Sequence, residues 1–138
     1  MKTPIEVPPG ATAEFVLPVT AEVTVKHFHP EMPAVLGTPF LIYAMEVAAS
    51  DAMRRFLPEG WVSVGAEVNV RHLAATPLGG SVTARATAVS VSGTFVSFTV
   101  EARDAGGLVG EGTHVRGAVE LERFLRRLGR QGEAPRPG

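Results

Sequence analysis

Thr38-Pro-Phe-Leu-Ile-Tyr-Ala-Met-Glu-Val-Ala-Ala-Ser-Asp-Ala-Met53 is the stretch on which the reading of this chain turns. It is apolar around most of its circumference, and Pro58-Glu-Gly60 follows it. Threonine is a good N-cap, and proline suits the first helical position because its missing N–H has no partner there. The spacing therefore predicts a helix that opens at Thr38 and stops before Pro58. At about 100° per residue, Glu46 falls with Ile42, Met53 and Leu57, flanked by Tyr43, Ala49 and Ser50. Asp51 and Arg55 form the opposite strip. Such a helix is buried, and a carboxylate desolvated on it is costly unless hydrogen-bonded, paired or protonated. Glu46 thus faces a solvent channel, is tied to a structural partner, or does chemistry.

The 138 residues are 45% hydrophobic. That suits one globular domain, residues 1–130, able to bury roughly two-thirds of its unfolded surface. Residues 131–138 are expected to form a disordered tail. Thirteen basic residues against 14 acidic ones leave a net charge of −1 without a long basic block, so neither a nucleic-acid groove nor a polybasic membrane patch is indicated. The absence of cysteine excludes disulfides, thiolate chemistry and cysteine-based zinc sites. No signal-peptide core or long apolar run appears, so a soluble, cytoplasmic protein with no membrane partner is expected.

Around the central helix the pattern is mostly β. Met1 to Ala11, with three prolines, reads as a surface arm, and Thr12 to Val25 as an edge strand broken at Pro18. Lys26-His-Phe-His-Pro-Glu-Met-Pro33 reads as a loop of the kind that rims a pocket. Trp61 to Ala75 alternates: Val62, Val64, Ala66, Val68, Val70 and His72 share one face, and Ser63, Gly65, Glu67, Asn69 and Arg71 the other. His72 then points to the core, as Glu46 does. Ser81 to Val91 and Thr94 to Ala102 make a hairpin at Ser92-Gly93, and Leu108 to Leu121 is a last strand. Glu120 to Arg130 carries Leu121, Phe124, Leu125 and Leu128 at helical spacing. An α+β domain follows, with about five antiparallel strands around one long helix and a short C-terminal helix.

Several segments carry a resemblance. These are Lys26 to Pro33, Thr38 with Phe40 and Met45-Glu46, Gly65 through His72 with Ala74-Ala-Thr-Pro77, and Gly112-Thr-His114 with Arg116. Together they resemble the hotdog-fold acyl-CoA thioesterases, and within them the fluoroacetyl-CoA thioesterase branch, from about Val23 to Arg126. The resemblance implies a hotdog fold and catalytic roles for Thr38, Glu46 and His72, with Gly65 at the active site. Phe28, Phe40 and Arg116 are candidate substrate-binding residues beside Gly65. Only Ala34-Val-Leu-Gly37 lies between Pro33 and Thr38, where the fluoroacetyl enzyme has a longer aromatic lid, and Pro39 stands where it has glycine. The chemistry carries over; the acyl group does not.

Thioester hydrolysis needs an activated nucleophile and donors for the oxyanion, since a thiolate leaves with little acid assistance. His72, oriented by Glu46, would be the general base, and Thr38 would attack or position water. N–H groups at the helix start would serve the oxyanion. Eight residues place Thr38 and Glu46 about 12 Å apart along a helix. Either the helix starts later or two subunits share the site. Hotdog proteins resemble one another in pairing two such helices antiparallel, so a homodimer with composite sites is expected. The substrate is a small or medium acyl-CoA, coenzyme A enters only as part of it, and no other cofactor is expected. No metal is expected either, because His27, His29 and His114 lack a third ligand on a rigid element. Arg116 and His114 are expected together opposite Val115, in a surface ion pair or against coenzyme phosphates. Plainer roles exist: Thr38 as a cap, His72 as a satisfied core histidine, Phe28 and Phe40 as core. The alternatives in function are an enoyl-CoA hydratase or dehydratase on the same fold and a noncatalytic acyl-CoA binding module.

Overall fold

A computed structural model describes residues 5–131. Strand β1 (Thr12–Pro18) is followed by one helical turn, α1 (Val25–Phe28), and by the long helix α2 (Thr38–Arg54). Then come β2 (Trp61–His72), β3 (Ser81–Ser92), β4 (Phe95–Asp104), β5 (Gly107–Glu120) and helix α3 (Leu121–Gln131). The strands form one sheet in the order β1-β3-β4-β5-β2, every pair antiparallel. The expected α+β plan is present.

The core lies between α2 and the sheet. Leu41, Ala44, Met45, Ala48 and Met53 of α2 are buried, as are Val82, Ala84 and Ala86 of β3 and Val96, Phe98 and Val100 of β4. Alanines on both layers permit close approach. At Gly110 of β5 a Cβ would meet Leu41 Cδ2 at 2.8 Å and the Arg71 carbonyl oxygen at 3.1 Å, so glycine lets that strand pass close beneath α2 without displacing the Leu41 side chain. Gly93, with φ +63°, makes the tight β3–β4 turn that its sequence predicts. At the β4–β5 turn, Asp104 accepts from the Gly106 N–H and from the Thr76 hydroxyl, each at 2.8 Å.

The structure corrects several expectations. Gly37, not Thr38, caps α2, so Thr38 is the first helical residue and its hydroxyl is not spent on capping. The helix ends at Arg54, before Pro58 as expected. The Lys26–Pro33 segment begins in α1. Residues 5–11 are no surface arm: Ile5, Val7 and Ala11 are buried, and Gly10 donates to Ala88 O at 2.8 Å. The C-terminal helix keeps Gln131, and the remainder of the expected tail lies outside the described residues.

The main correction concerns β2. Gly65 pairs with Arg116 and Glu67 with Val115, leaving Ala66 as a bulge. A bulge inserts one residue and reverses the alternation beyond it. Ser63 and Gly65 therefore share the helix-facing side with Val68, Val70 and His72, because their cross-strand partners Ala118, Arg116 and His114 are buried. Val62 faces out. The single apolar face expected from Val62 to His72 holds only past the bulge.

Candidate active site

Two polar groups lie along α2. At its N-terminal end Thr38 Oγ1 lies 2.8 Å from His72 Nδ1. His72 Nε2 is buried and has no hydrogen-bond partner among the described residues. A cavity of about 320 Å³ opens here, lined by Val25, Val35, Leu36, Thr38, His72 and Leu73 among others. Phe28 stacks on Phe40 beside it, ring centroids 6.2 Å apart and planes at 15°, with His27 edge-on to Phe28 at 5.0 Å. Phe28 is 61% exposed, so it is not core, whereas Phe40 is half-buried against the core.

The second group is centred on Glu46, two turns further along. A Cβ added to Gly65 would lie 3.0 Å from Glu46 Oε2, so the absence of a side chain at Gly65 makes room for the carboxylate. Arg116 NH1 donates to that oxygen at 3.5 Å. Arg116 also donates from Nε to Ser63 Oγ at 2.9 Å and from NH2 to Ser63 O at 3.1 Å. It is 7% exposed, so its ion pair is not the surface pair expected. Burial lowers the guanidinium below its ordinary value, opposed by the charge of Glu46 and the hydrogen bond to it. A buried arginine needs such a partner.

His114, 2% exposed, completes this group. Its Nδ1 is 2.8 Å from Glu67 O, and a carbonyl oxygen only accepts, so Nδ1 carries the proton. Nε2 is then the acceptor for Arg116 NH1 at 3.3 Å. Burial lowers the imidazole pKa below its ordinary value; the Glu67 carbonyl and Glu46 raise it, and Arg116 lowers it further.

Thr38 is therefore brought to His72, and Glu46 to Gly65 and Arg116. Within one chain the two groups are about 12 Å apart along α2. Ser63 of the second group was not among the candidates, and His114, expected beside Arg116 and found there, was given no role at Glu46. Ser63 gives no signal until the bulge is known; His114 signals itself as a histidine two places from Arg116 on a strand. A larger cavity, about 830 Å³, lies among Asn69, Arg71, Arg85, Thr99, Glu101 and Glu111, and neither group lines it. Among the described residues no three His, Asp or Glu side chains gather as metal ligands.

Residues 19–122 match the family described as fluoroacetyl-CoA-specific thioesterase. This chain belongs to that family. The fluoroacetyl-CoA thioesterase of Streptantibioticus cattleyicolor is 38% identical over 130 residues, 90% of this chain and 92% of that one. A solved structure of a fluoroacetyl-CoA thioesterase superposes with a TM-score of 0.84 at 34% identity, covering 91% of this chain and 98% of its own. A thioesterase superfamily member from Thermus thermophilus gives 0.83 at 31% identity, covering 93% and 97%. A hot-dog-like protein from Thermanaerovibrio acidaminovorans gives 0.82 at 29% identity, covering 90% and 92%. The fold is the hotdog that the family resemblance implied. Within the family's fold, α2 carries both polar groups, and no helix among the described residues is long and apolar enough to cross a membrane.

Proposed function

We propose that this chain is an acyl-CoA thioesterase that releases free acid and coenzyme A from a small acyl thioester. The observation that carries the reading is the 2.8 Å contact between Thr38 Oγ1 and His72 Nδ1. In that geometry the hydroxyl proton has a base within reach, so Thr38 attacks the thioester carbonyl or aligns a water that does. The thiolate leaves without a dedicated acid, and the substrate brings the coenzyme. No further cofactor is called for. Donors at the start of α2 are fewer than the sequence suggests, because Pro39 has no N–H and Phe40 N–H is spent on Gly37 O at 3.0 Å. The Thr38 N–H and the positive end of α2 are what this end offers the oxyanion.

The working unit in this reading is a homodimer in which Glu46 of one copy meets the Thr38–His72 pair of the other. Three features support it. His72 Nε2 is buried without a partner among the described residues. Side-chain exposure of Glu46 is 38%, which leaves it accessible on α2. β2 is a 12-residue edge strand whose far side pairs with no strand among the described residues, and such an edge is a ready template for a second copy. The matching family and the Streptantibioticus cattleyicolor relative are named for fluoroacetyl-CoA, so acyl groups of that size are the first to test, and a cytoplasmic location would suit a CoA-thioester substrate.

Mixing two inactive variants tests the reading. Thr38→Ala and Glu46→Gln should each release coenzyme A at a small fraction of the wild-type rate, followed with a thiol reagent. Refolded together in equal amounts, they should recover about a quarter of wild-type activity, because half of a random population of two-fold dimers is mixed and each mixed dimer has one intact site. Full activity of either variant alone, or no recovery on mixing, refutes the composite site.

A further inference from the structure

His114 takes no part in the chemistry above, yet both its nitrogens are committed. It sits on the buried side of β5 between two chemically unlike partners, the carbonyl of Glu67 at the β2 bulge and the guanidinium of Arg116. Arg116 is gripped from one side by Ser63 through Nε and NH2. Its NH1 stands between His114 Nε2 at 3.3 Å and Glu46 Oε2 at 3.5 Å. The carboxylate contact is the longer of the two. A planar guanidinium fixed at Ser63 keeps one freedom, rotation of its NH1 edge, and the imidazole acceptor removes it.

We propose that His114 is a positioning residue: as the neutral Nδ1–H tautomer it aims Arg116 NH1, and through Arg116 it sets the place of the Glu46 carboxylate beside Gly65. The inference rests on the reading that Glu46 takes part in thioester hydrolysis. The groups facing the imidazole are Arg116 on its own strand, Glu46 from α2, the Glu67 carbonyl from β2 and the Phe98 ring from β4, 6.4 Å away. A protonated imidazole has no acceptor at Nε2 and would present a donor to a guanidinium, so only the neutral form performs this task.

Two short amides separate positioning from a merely structural role. His114→Gln can keep an acceptor near Nε2 for Arg116 but gives up the Glu67 bond. His114→Asn can keep a donor for Glu67 but falls short of Arg116. The expected result is a kcat within about threefold of wild type for Gln and a fall of about tenfold or more for Asn, with KM little changed in both, because a small displacement of a reacting group acts on the chemical step. The opposite order, or equal losses in both, overturns the proposal. Glu46→Gln measured alongside separates two failures. A crippled Glu46→Gln with an active Asn variant overturns the role of His114 alone, whereas a fully active Glu46→Gln overturns the role of Glu46 and this inference with it. Nitrogen NMR of the wild-type imidazole needs no variant to fold: a protonated Nε2 at neutral pH overturns the proposal, and an unprotonated one supports it.

Discussion

Gly65 illustrates how far a single atom matters in this site. A Cβ there would sit 3.0 Å from Glu46 Oε2, tighter than ordinary contact, and the group that must yield is the end of a flexible side chain. Gly65→Ala should therefore fold with nearly wild-type stability yet lose about tenfold or more in kcat, since displacing a reacting group by a fraction of an ångström suffices for that. Thermal melting beside steady-state kinetics checks this; a large loss of stability with kcat retained would place Gly65 in the scaffold instead. Glu46 was legible from sequence as an acid on an apolar helix. Its partner was not, because register across strands is set in three dimensions and Arg116 reaches it only through the Gly65↔Arg116 pairing.

At the scale of the element, β2 decides what could be read. Alternation placed His72 on the core side correctly and put Gly65 on the wrong side, since the bulge at Ala66 falls between them and no residue there announces it. The helix was legible in kind, but its cap falls one residue earlier, on Gly37, and the Thr38 hydroxyl meets His72 instead. β5 presses β2 into place. A Cβ on Gly112 would collide with the Asn69 carbonyl oxygen and come within 2.8 Å of Val70 Cα. Both obstacles are backbone, so neither can swing away. Gly112→Ala should cost about 1–3 kcal/mol or more in chemical denaturation, the range of an overpacked core, and should weaken activity as well by shifting the strand that carries His72. A variant as stable as wild type would show that β2 and β5 can separate freely.

For the whole molecule, the buried neutral state of His114 links stability to pH. Its folded pKa lies below the ordinary value of 6.5, chiefly through burial. The unfolded chain then takes up this proton first as pH falls, so stability is complete above about 6.5 and declines below it until the folded value is reached. Asp104 acts in a lower window: its folded pKa lies below 3.8, chiefly through the Thr76 hydrogen bond, so its stabilisation is present above 3.8, declines below it and is gone once pH has fallen through the depressed value. Denaturation midpoints should thus drop between pH 7.5 and 5.5, and His114→Gln should flatten that drop. An unchanged slope in the variant would assign the effect to other groups.

The burial of the segment ahead of β1 bears on how the protein should be handled. Ile5 and Val7 are 1% and 4% exposed and belong to the same core as α2. Full burial of such side chains stabilises by about 1.5–3 kcal/mol each. Trimming the chain back to the first strand would open the hydrophobic interior, and a purification tag fused close to Ile5 would tug on it. The far end is the better handle, because Leu125 and Leu128 on α3 already stand half in solvent.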